Sequence, residues 1–233
     1  MKEIIPAIIP EDFYDLQGKM SLVAGLAPLV QIDVLDGKFT PEASWPYNVE
    51  EDKNFLDIVR GEKGFPYWEK IDFEVDLMVE DPFTFWEDWF NAGAKRIIFH
   101  IESKTNWETI IAEFKKHSVE KDLPFYTELG FAINIDTPLE KLLPVIAHAD
   151  FIQCMGIARI GFQGEPFDER VIEKIKEIKK HYPEMIVSVD GGVSLENAQA
   201  LIEAGATRLV SGSAIFEDSD ISSIIGEFRN LLQ

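Results

Sequence analysis

Met185-Ile186-Val187-Ser188-Val189-Asp190-Gly191-Gly192 is followed by an amphipathic run that closes at Gly205, then by Arg208-Leu209-Val210-Ser211-Gly212-Ser213. A short apolar segment, a longer amphipathic one and a second short apolar segment read as strand, helix and parallel strand. Neither apolar segment alternates cleanly with polar residues, which suits strands buried on both faces. Gly205 falls where such a helix should end, since a left-handed residue is least costly as glycine.

The same alternation extends upstream through the whole chain. Candidate strands occupy 3–9, 29–34, 71–78, 96–101, 129–133, 151–155, 185–189 and 208–211. Eight strands with helical segments between them favour an α/β fold closed into a (β/α)8 TIM barrel over an open sheet. A chain of 233 residues suits one such barrel domain spanning 1–233. Asp81-Pro82 offers an N-cap followed by proline at the first helical position. Thr105-Asn106-Trp107-Glu108 and Thr137-Pro138-Leu139-Glu140 read as capping boxes, and Gly93, like Gly205, marks a helix end. Ala92-Gly93-Ala94-Lys95-Arg96-Ile97-Ile98 echoes Ala204-Gly205-Ala206-Thr207-Arg208-Leu209-Val210 four βα units later. Duplication or shared βα geometry would each produce that echo. The irregular region is 45–67, where 50–60 is a plausible helix and an extended loop would lie over the barrel mouth.

Composition narrows the function classes. At 46% hydrophobic and 27% charged, with no run of eighteen apolar residues, the chain reads as a globular protein without a membrane span. The opening Met1-Lys2-Glu3-Ile4-Ile5-Pro6 does not resemble a signal peptide. Cys154 is the single cysteine, which excludes a disulfide within the chain, and the two observations together favour a cytoplasmic setting. A formal net charge of −20 argues against nucleic acid and anionic membranes as partners. An anionic ligand would need local compensation from backbone N–H groups or helix N-termini.

In a barrel of this kind, residues at the C-terminal ends of the strands face the active site. Asp33, Asp76 and Asp190 interrupt apolar strands near those ends, where an unpaired carboxylate is costly. Strand alternation puts Gln31 on the face of Asp33, and Glu74 and Met78 on that of Asp76. Three carboxylates converging on one mouth read as a site, whereas Asp36, followed by Gly37, reads as a turn residue. Gly161-Phe162-Gln163-Gly164, Gly191-Gly192 and Gly212-Ser213 follow strands six, seven and eight. Glycine admits close approach of backbone N–H groups to an anion, so these loops read as a phosphate seat. Met78, His100 and Met155 are candidates for the substrate pocket, and Phe39, Trp45, Tyr47 and Phe162 could shape it. His117, His148 and His181 read as surface residues, and Cys154 as a buried inert thiol. The aromatic cluster Phe83, Phe85, Trp86, Trp89 and Phe90 is either a subunit contact, hence a homo-oligomer, or packing against neighbouring helices.

These segments resemble the ribulose-phosphate 3-epimerase family over nearly the whole chain. The likeness rests on Pro6-Ala7-Ile8-Ile9-Pro10-Glu11-Asp12-Phe13, Gln31-Ile32-Asp33-Val34-Leu35-Asp36-Gly37-Lys38-Phe39-Thr40-Pro41 and Asp76-Leu77-Met78-Val79-Glu80-Asp81-Pro82. It continues in order through Phe99-His100-Ile101-Glu102, the glycine segments of strands six and seven, and Gly212-Ser213-Ala214-Ile215-Phe216. The resemblance implies a barrel of the ribulose-phosphate-binding type that epimerises C3 of a ketose phosphate such as ribulose 5-phosphate. One carboxylate removes the C3 proton, an enediolate forms, and a second carboxylate reprotonates the opposite face; Asp33 and Asp190 hold those positions. Inversion needs acid/base groups on both faces of one carbon. In the family, two histidines and these two aspartates bind a divalent metal.

The chain departs from that pattern at the metal shell. Gln31 stands for the histidine of strand two, Asp76 for that of strand three, and Ala7 for the usual serine of strand one. The loop Met155-Gly156-Ile157-Ala158-Arg159-Ile160 is one residue longer and carries Arg159. Three readings follow. Asp33, Asp76, Asp190 and Gln31 form an all-oxygen site that favours Mg²⁺ or Mn²⁺ over Zn²⁺. Alternatively the site is metal-free, with Lys38 or Arg159 supplying positive charge. In the third, the barrel is a phosphosugar-binding or regulatory protein without turnover. All three take a small phosphorylated sugar as ligand. Hexulose-phosphate synthases and related decarboxylases place a lysine between two carboxylates in Asp-x-Lys-x-x-Asp. Asp33-Val34-Leu35-Asp36-Gly37-Lys38 places it after both, which argues against that class.

Overall fold

The computed structural model describes residues 2–117 and 126–233. Eight parallel strands close in sequence order into a barrel: β1 (Glu3–Ile8), β2 (Leu29–Leu35), β3 (Asp72–Met78), β4 (Arg96–His100), β5 (Glu128–Ile133), β6 (Phe151–Met155), β7 (Ile186–Asp190) and β8 (Arg208–Ser211). Every expected strand is present with bounds shifted by no more than a residue. Around them lie α1 (Phe13–Val23), α2 (Lys53–Val59), α3 (Trp86–Asn91), α4 (Trp107–His117), α5 (Arg170–His181), α6 (Leu195–Ala204), the short α7 (Ser213–Phe216) and α8 (Ile221–Leu231). Among the described residues no helix is long and apolar enough to cross a membrane.

Local chemistry explains where the helices differ from expectation. Asp81 accepts the Phe83 N–H as anticipated, but the element it opens is the 3₁₀ turn Pro82–Thr84, ahead of α3. At α4 the cap is Asn106, whose side chain accepts the Thr109 N–H at 3.0 Å, and not Thr105. The second expected capping box fails. Pro138 sits at the N-cap with extended backbone and no side-chain bond, and Pro144 removes a further N–H donor six residues on. The β5–β6 crossover therefore consists of the 3₁₀ turns Leu139–Leu142 and Ile146–His148 in place of an α-helix. Gly93 and Gly205 adopt the left-handed conformations expected of helix ends, with φ of 95° and 114°.

Strand alternation sorts the barrel interior into layers. At the base, Arg96 pairs with Glu3 at 2.7 Å and Glu74 at 3.0 Å, while Arg208 pairs with Glu3 at 2.9 Å and Glu128 at 2.8 Å. Above this ionic plug lies an apolar waist that includes Ile5, Ile98, Phe151 and Val210, and above the waist the polar mouth. Arg96 and Arg208 are the matching residues of the sequence echo, and they enter one network from opposite sides of the barrel.

Two expectations change. Region 45–67 does not cover the mouth. Trp45 is buried against Phe13, Phe55 and Trp89, and Phe65 stacks on Phe73 near the start of β3 with centroids 3.8 Å apart. The segment thus descends the outer wall towards the base because its aromatics find apolar partners there. Its helix, α2, is shorter than 50–60 and is capped by Asp52. The aromatic cluster of 83–90 is mostly internal packing. Trp86 and Trp89 are buried, Phe85 meets Tyr47 at 4.5 Å, and Phe90 packs on Phe114. Phe83 alone of the five is exposed, at 46%.

Candidate active site

β2 and β3 run in register with Asp33 opposite Asp76, and β7 ends in Asp190 opposite Met155. Closure of the barrel brings the three carboxylates together, with oxygens within 4.8 Å of one another. They are not equivalent. Asp33 and Asp190 line an open cavity at the mouth, whereas Asp76 is fully buried and does not line it. Met78 and Met155 form part of the cavity wall.

Neutral amides hold the carboxylates. The Gln31 side chain donates to Asp33 Oδ1 at 2.7 Å and to Asp190 Oδ2 at 2.8 Å. Gln153 donates to Asp76 Oδ2 at 3.0 Å and to Asp190 Oδ2 at 3.4 Å. Beneath them His100 Nε2 lies 3.1 Å from Asp76 Oδ1, and its Nδ1 faces Glu102 at 3.6 Å. His100 was expected in the substrate pocket. It is instead wholly buried beside Asp76, with the Phe39 ring 5.3 Å from its own. Sequence reasoning missed Gln153 and the part played by Glu102. A signal for Gln153 existed: it sits two residues before Met155 on β6, hence on the same inward face.

Burial and crowding shape the charges. Desolvation, then the neighbouring Asp190 and Asp76, hold the Asp33 carboxyl well above the usual carboxylate range. Asp190 is pushed up to about 7 by burial and by Asp76. Burial disfavours the His100 imidazolium, but Asp76 and Glu102 outweigh it and raise the group to about 10. Lys38 is exposed, and Arg159 lies over the Phe162 ring at 4.7 Å and 3.9 Å from Glu165, two-thirds exposed. Among the described residues no lysine or arginine lines the cavity.

Gly161, Gly164, Gly191, Gly192, Gly212 and Ser213 all line the same cavity. At Gly191, with φ of 99°, a Cβ would meet the Ile157 side chain at 2.7 Å, and at Gly192 it would meet Phe167 Cα at 2.8 Å. The loop can follow this path only without side chains, and it leaves backbone on the cavity wall. Of the four aromatics expected to shape the pocket, Phe162 lines it. Trp45 is buried in the outer wall, Tyr47 receives the Trp89 indole N–H at 2.8 Å, and Phe39 packs on His100. Asp36 is the turn residue anticipated, accepting backbone N–H bonds from Lys38, Phe39 and Glu80. Cys154 is buried and its thiol is pushed up to about 12 by desolvation, consistent with an inert role.

The three carboxylates fit a hard divalent cation by donor type and spacing. The Gln31 amide does not. It turns its N–H towards Asp33 and Asp190, and its carbonyl oxygen is buried without a hydrogen-bond partner among the described residues. With its nitrogen facing Asp33 and Asp190, the amide offers a donor and not a lone pair to a cation held there.

A closed (β/α)8 barrel with acidic groups and a glycine-lined cavity at the strand C-termini defines the class: an enzyme barrel of the kind that carries its site on the βα loops. Residues 3–216 match the model of the ribulose-phosphate 3 epimerase family, and the chain belongs to that family, whose relatives are epimerases of the isomerase class. It is 31% identical to the ribulose-phosphate 3-epimerase of Bacillus subtilis, over 98% of this chain and 99% of that one. It is 26% identical to the cytoplasmic isoform of ribulose-phosphate 3-epimerase from Oryza sativa subsp. japonica, over 99% and 94%. The crystal structure of 3-keto-L-gulonate-6-phosphate decarboxylase from Vibrio cholerae superposes with a TM-score of 0.69 at 14% identity, covering 100% of this chain and 98% of that one. At that identity the likeness shows the fold alone.

Proposed function

We propose that this protein is a ketose-phosphate 3-epimerase, acting on ribulose 5-phosphate or a close relative, with Asp33 and Asp190 exchanging the C3 proton on opposite faces. The observation that carries the reading is the division among the three aspartates. The two assigned to proton transfer line the cavity shared with the glycine loops, and the third lies beneath. Burial and the neighbouring carboxylates hold Asp33 well above the usual carboxylate range and push Asp190 up to about 7, which suits groups that take and return a proton in a two-base inversion.

The phosphate would sit against the backbone of the loops after β6, β7 and β8, with Gly191, Gly192, Gly212 and Ser213 as the nearest groups. That placement aims the sugar at Asp33 and Asp190, with Met78 and Met155 excluding water from the wall between them. A divalent metal, Mg²⁺ or Mn²⁺ in preference to Zn²⁺, would be held by Asp33, Asp76 and Asp190. When bound, it supplies positive charge that stabilises negative charge developing on the substrate oxygens. Below the cavity His100 meets Asp76, which is linked through Gln153 to Asp190. A cytoplasmic setting accords with the single cysteine.

The test is deuterium incorporation from solvent at C3 of ribulose 5-phosphate, followed by NMR on metal-stripped protein and again with Mg²⁺, Mn²⁺ or Zn²⁺ added. Exchange together with the appearance of xylulose 5-phosphate is the expected result. No exchange under any of these conditions would overturn the assignment and favour a phosphosugar-binding barrel.

A further inference from the structure

We propose that Gln153 is a positioning residue of this site: with Gln31 it clamps Oδ2 of Asp190 from two sides, leaving Oδ1 as the oxygen that meets substrate. The inference rests on the epimerase reading and deepens it.

Gln153 lies on β6, with Ala132 of β5 and Ser188 of β7 as its register partners. On one side it borders the buried apolar cluster Ile98, Ala132, Phe151 and Met155, and on the other the carboxylates of Asp76 and Asp190. A fully buried amide here is costly, and an apolar side chain would fill the same space at lower cost. The amide oxygen has no hydrogen-bond partner among the described residues, so its burial is only half compensated. What the amide provides is its N–H pair, which spans Asp76 Oδ2 at 3.0 Å and Asp190 Oδ2 at 3.4 Å.

The two amides treat the cavity carboxylates differently. Asp190 Oδ2 accepts from both Gln31 and Gln153, while among the described residues Asp33 Oδ1 accepts from Gln31 alone. Asp190 lines the cavity, so the oxygen left free of this clamp is the one available for proton transfer. The link through Gln153 also ties Asp190 to Asp76 and His100, which lie below the cavity. Gln153 thus fixes the aim of one of the two proton-transfer groups and not of the other. Displacing a reacting group by about 1 Å can cost about 10²-fold in rate.

Gln153→Met removes the donor at nearly constant length, and Gln153→Asn keeps an amide that is too short to span both carboxylates. For each variant, C3 deuterium exchange would be measured separately from ribulose 5-phosphate and from xylulose 5-phosphate. Net epimerisation must slow equally in both directions, but exchange need not. We expect exchange from the epimer whose proton Asp190 removes to fall about 10–100-fold. Exchange from the other epimer should stay within about threefold, with KM for both little changed, because the phosphate seat is untouched. An equal loss from both epimers, or no loss from either, would overturn the proposal. A crystal structure of Gln153→Met gives a readout independent of turnover. The Asp190 carboxylate should rotate away from its wild-type plane, and an unmoved carboxylate would overturn the clamp even if the wild-type protein proved not to epimerise this sugar.

Discussion

Asp33 and Asp190 are separated by more than half the chain, and Gln31 joins them through one amide nitrogen. If they are the two proton-transfer groups, replacing either with asparagine keeps the shape and removes the transferable proton. Asp33→Asn and Asp190→Asn should each lower epimerisation by about 10²–10⁴-fold, while calorimetry finds sugar-phosphate affinity within about threefold of wild type. Near-wild-type turnover in either variant would dismiss the two-carboxylate mechanism. Much at this scale was legible in the sequence. An aspartate near the end of an apolar strand is a costly choice, and strand alternation told which neighbours share its face. The sequence did not disclose which of the three aspartates reaches the cavity. That depends on the depth of each side chain in the closed barrel, and a linear pattern carries no depth. The same blindness put His100 in the substrate pocket, when the Phe39 ring and Asp76 enclose it below.

The strands were the easiest elements to place, because continuous apolar runs bounded by glycine and proline admit few alternatives. Helix caps were harder. Thr105 and Asn106 are both competent N-caps, and only backbone geometry selected Asn106. The β5–β6 crossover shows a local signal overruled, since Pro138 and Pro144 leave too few backbone donors for the helix that Thr137 and Glu140 would otherwise open. At the barrel base the strands assemble five charged groups whose number the sequence shows and whose pairing it does not. Glu74, pushed up to about 7 by burial in spite of Arg96 and Arg208, makes that base pH-sensitive. The unfolded chain releases this proton near 4.5 and the folded one near 7. Between those values the folded state therefore binds more protons, and stability falls as pH rises, then levels off above about 7. Urea unfolding should show Glu74→Gln gaining on wild type between pH 5 and pH 8 by about 1–3 kcal/mol. A pH-independent difference would mean that the Arg96 pair keeps Glu74 ionised throughout.

Over the whole molecule, a net charge of −20 surrounds a cavity with no cationic wall among the described residues. An anionic substrate approaches against that field and is held only by short-range contacts. Screening should then help binding. KM for the ketose phosphate is expected to fall by about two- to threefold as ionic strength rises from about 0.01 M to 0.15 M, where the Debye length shortens from about 30 Å to 8 Å. A KM that rises with salt would point instead to a cation at the phosphate, with Arg159 the first residue to replace.

The eight-strand order, the parallel closure and the list of acidic and glycine residues at the strand ends were determined by the sequence alone. Those features are local: each follows from residue type, a period of two along a strand, or the conformational freedom of glycine. Only the tertiary structure decided that two aspartates face the cavity and one lies beneath, that His100 sits against Asp76, and that Gln31 and Gln153 join the carboxylates. Each of these depends on which side chains from distant strands meet at one depth in the barrel, and that is set when all eight strands close together.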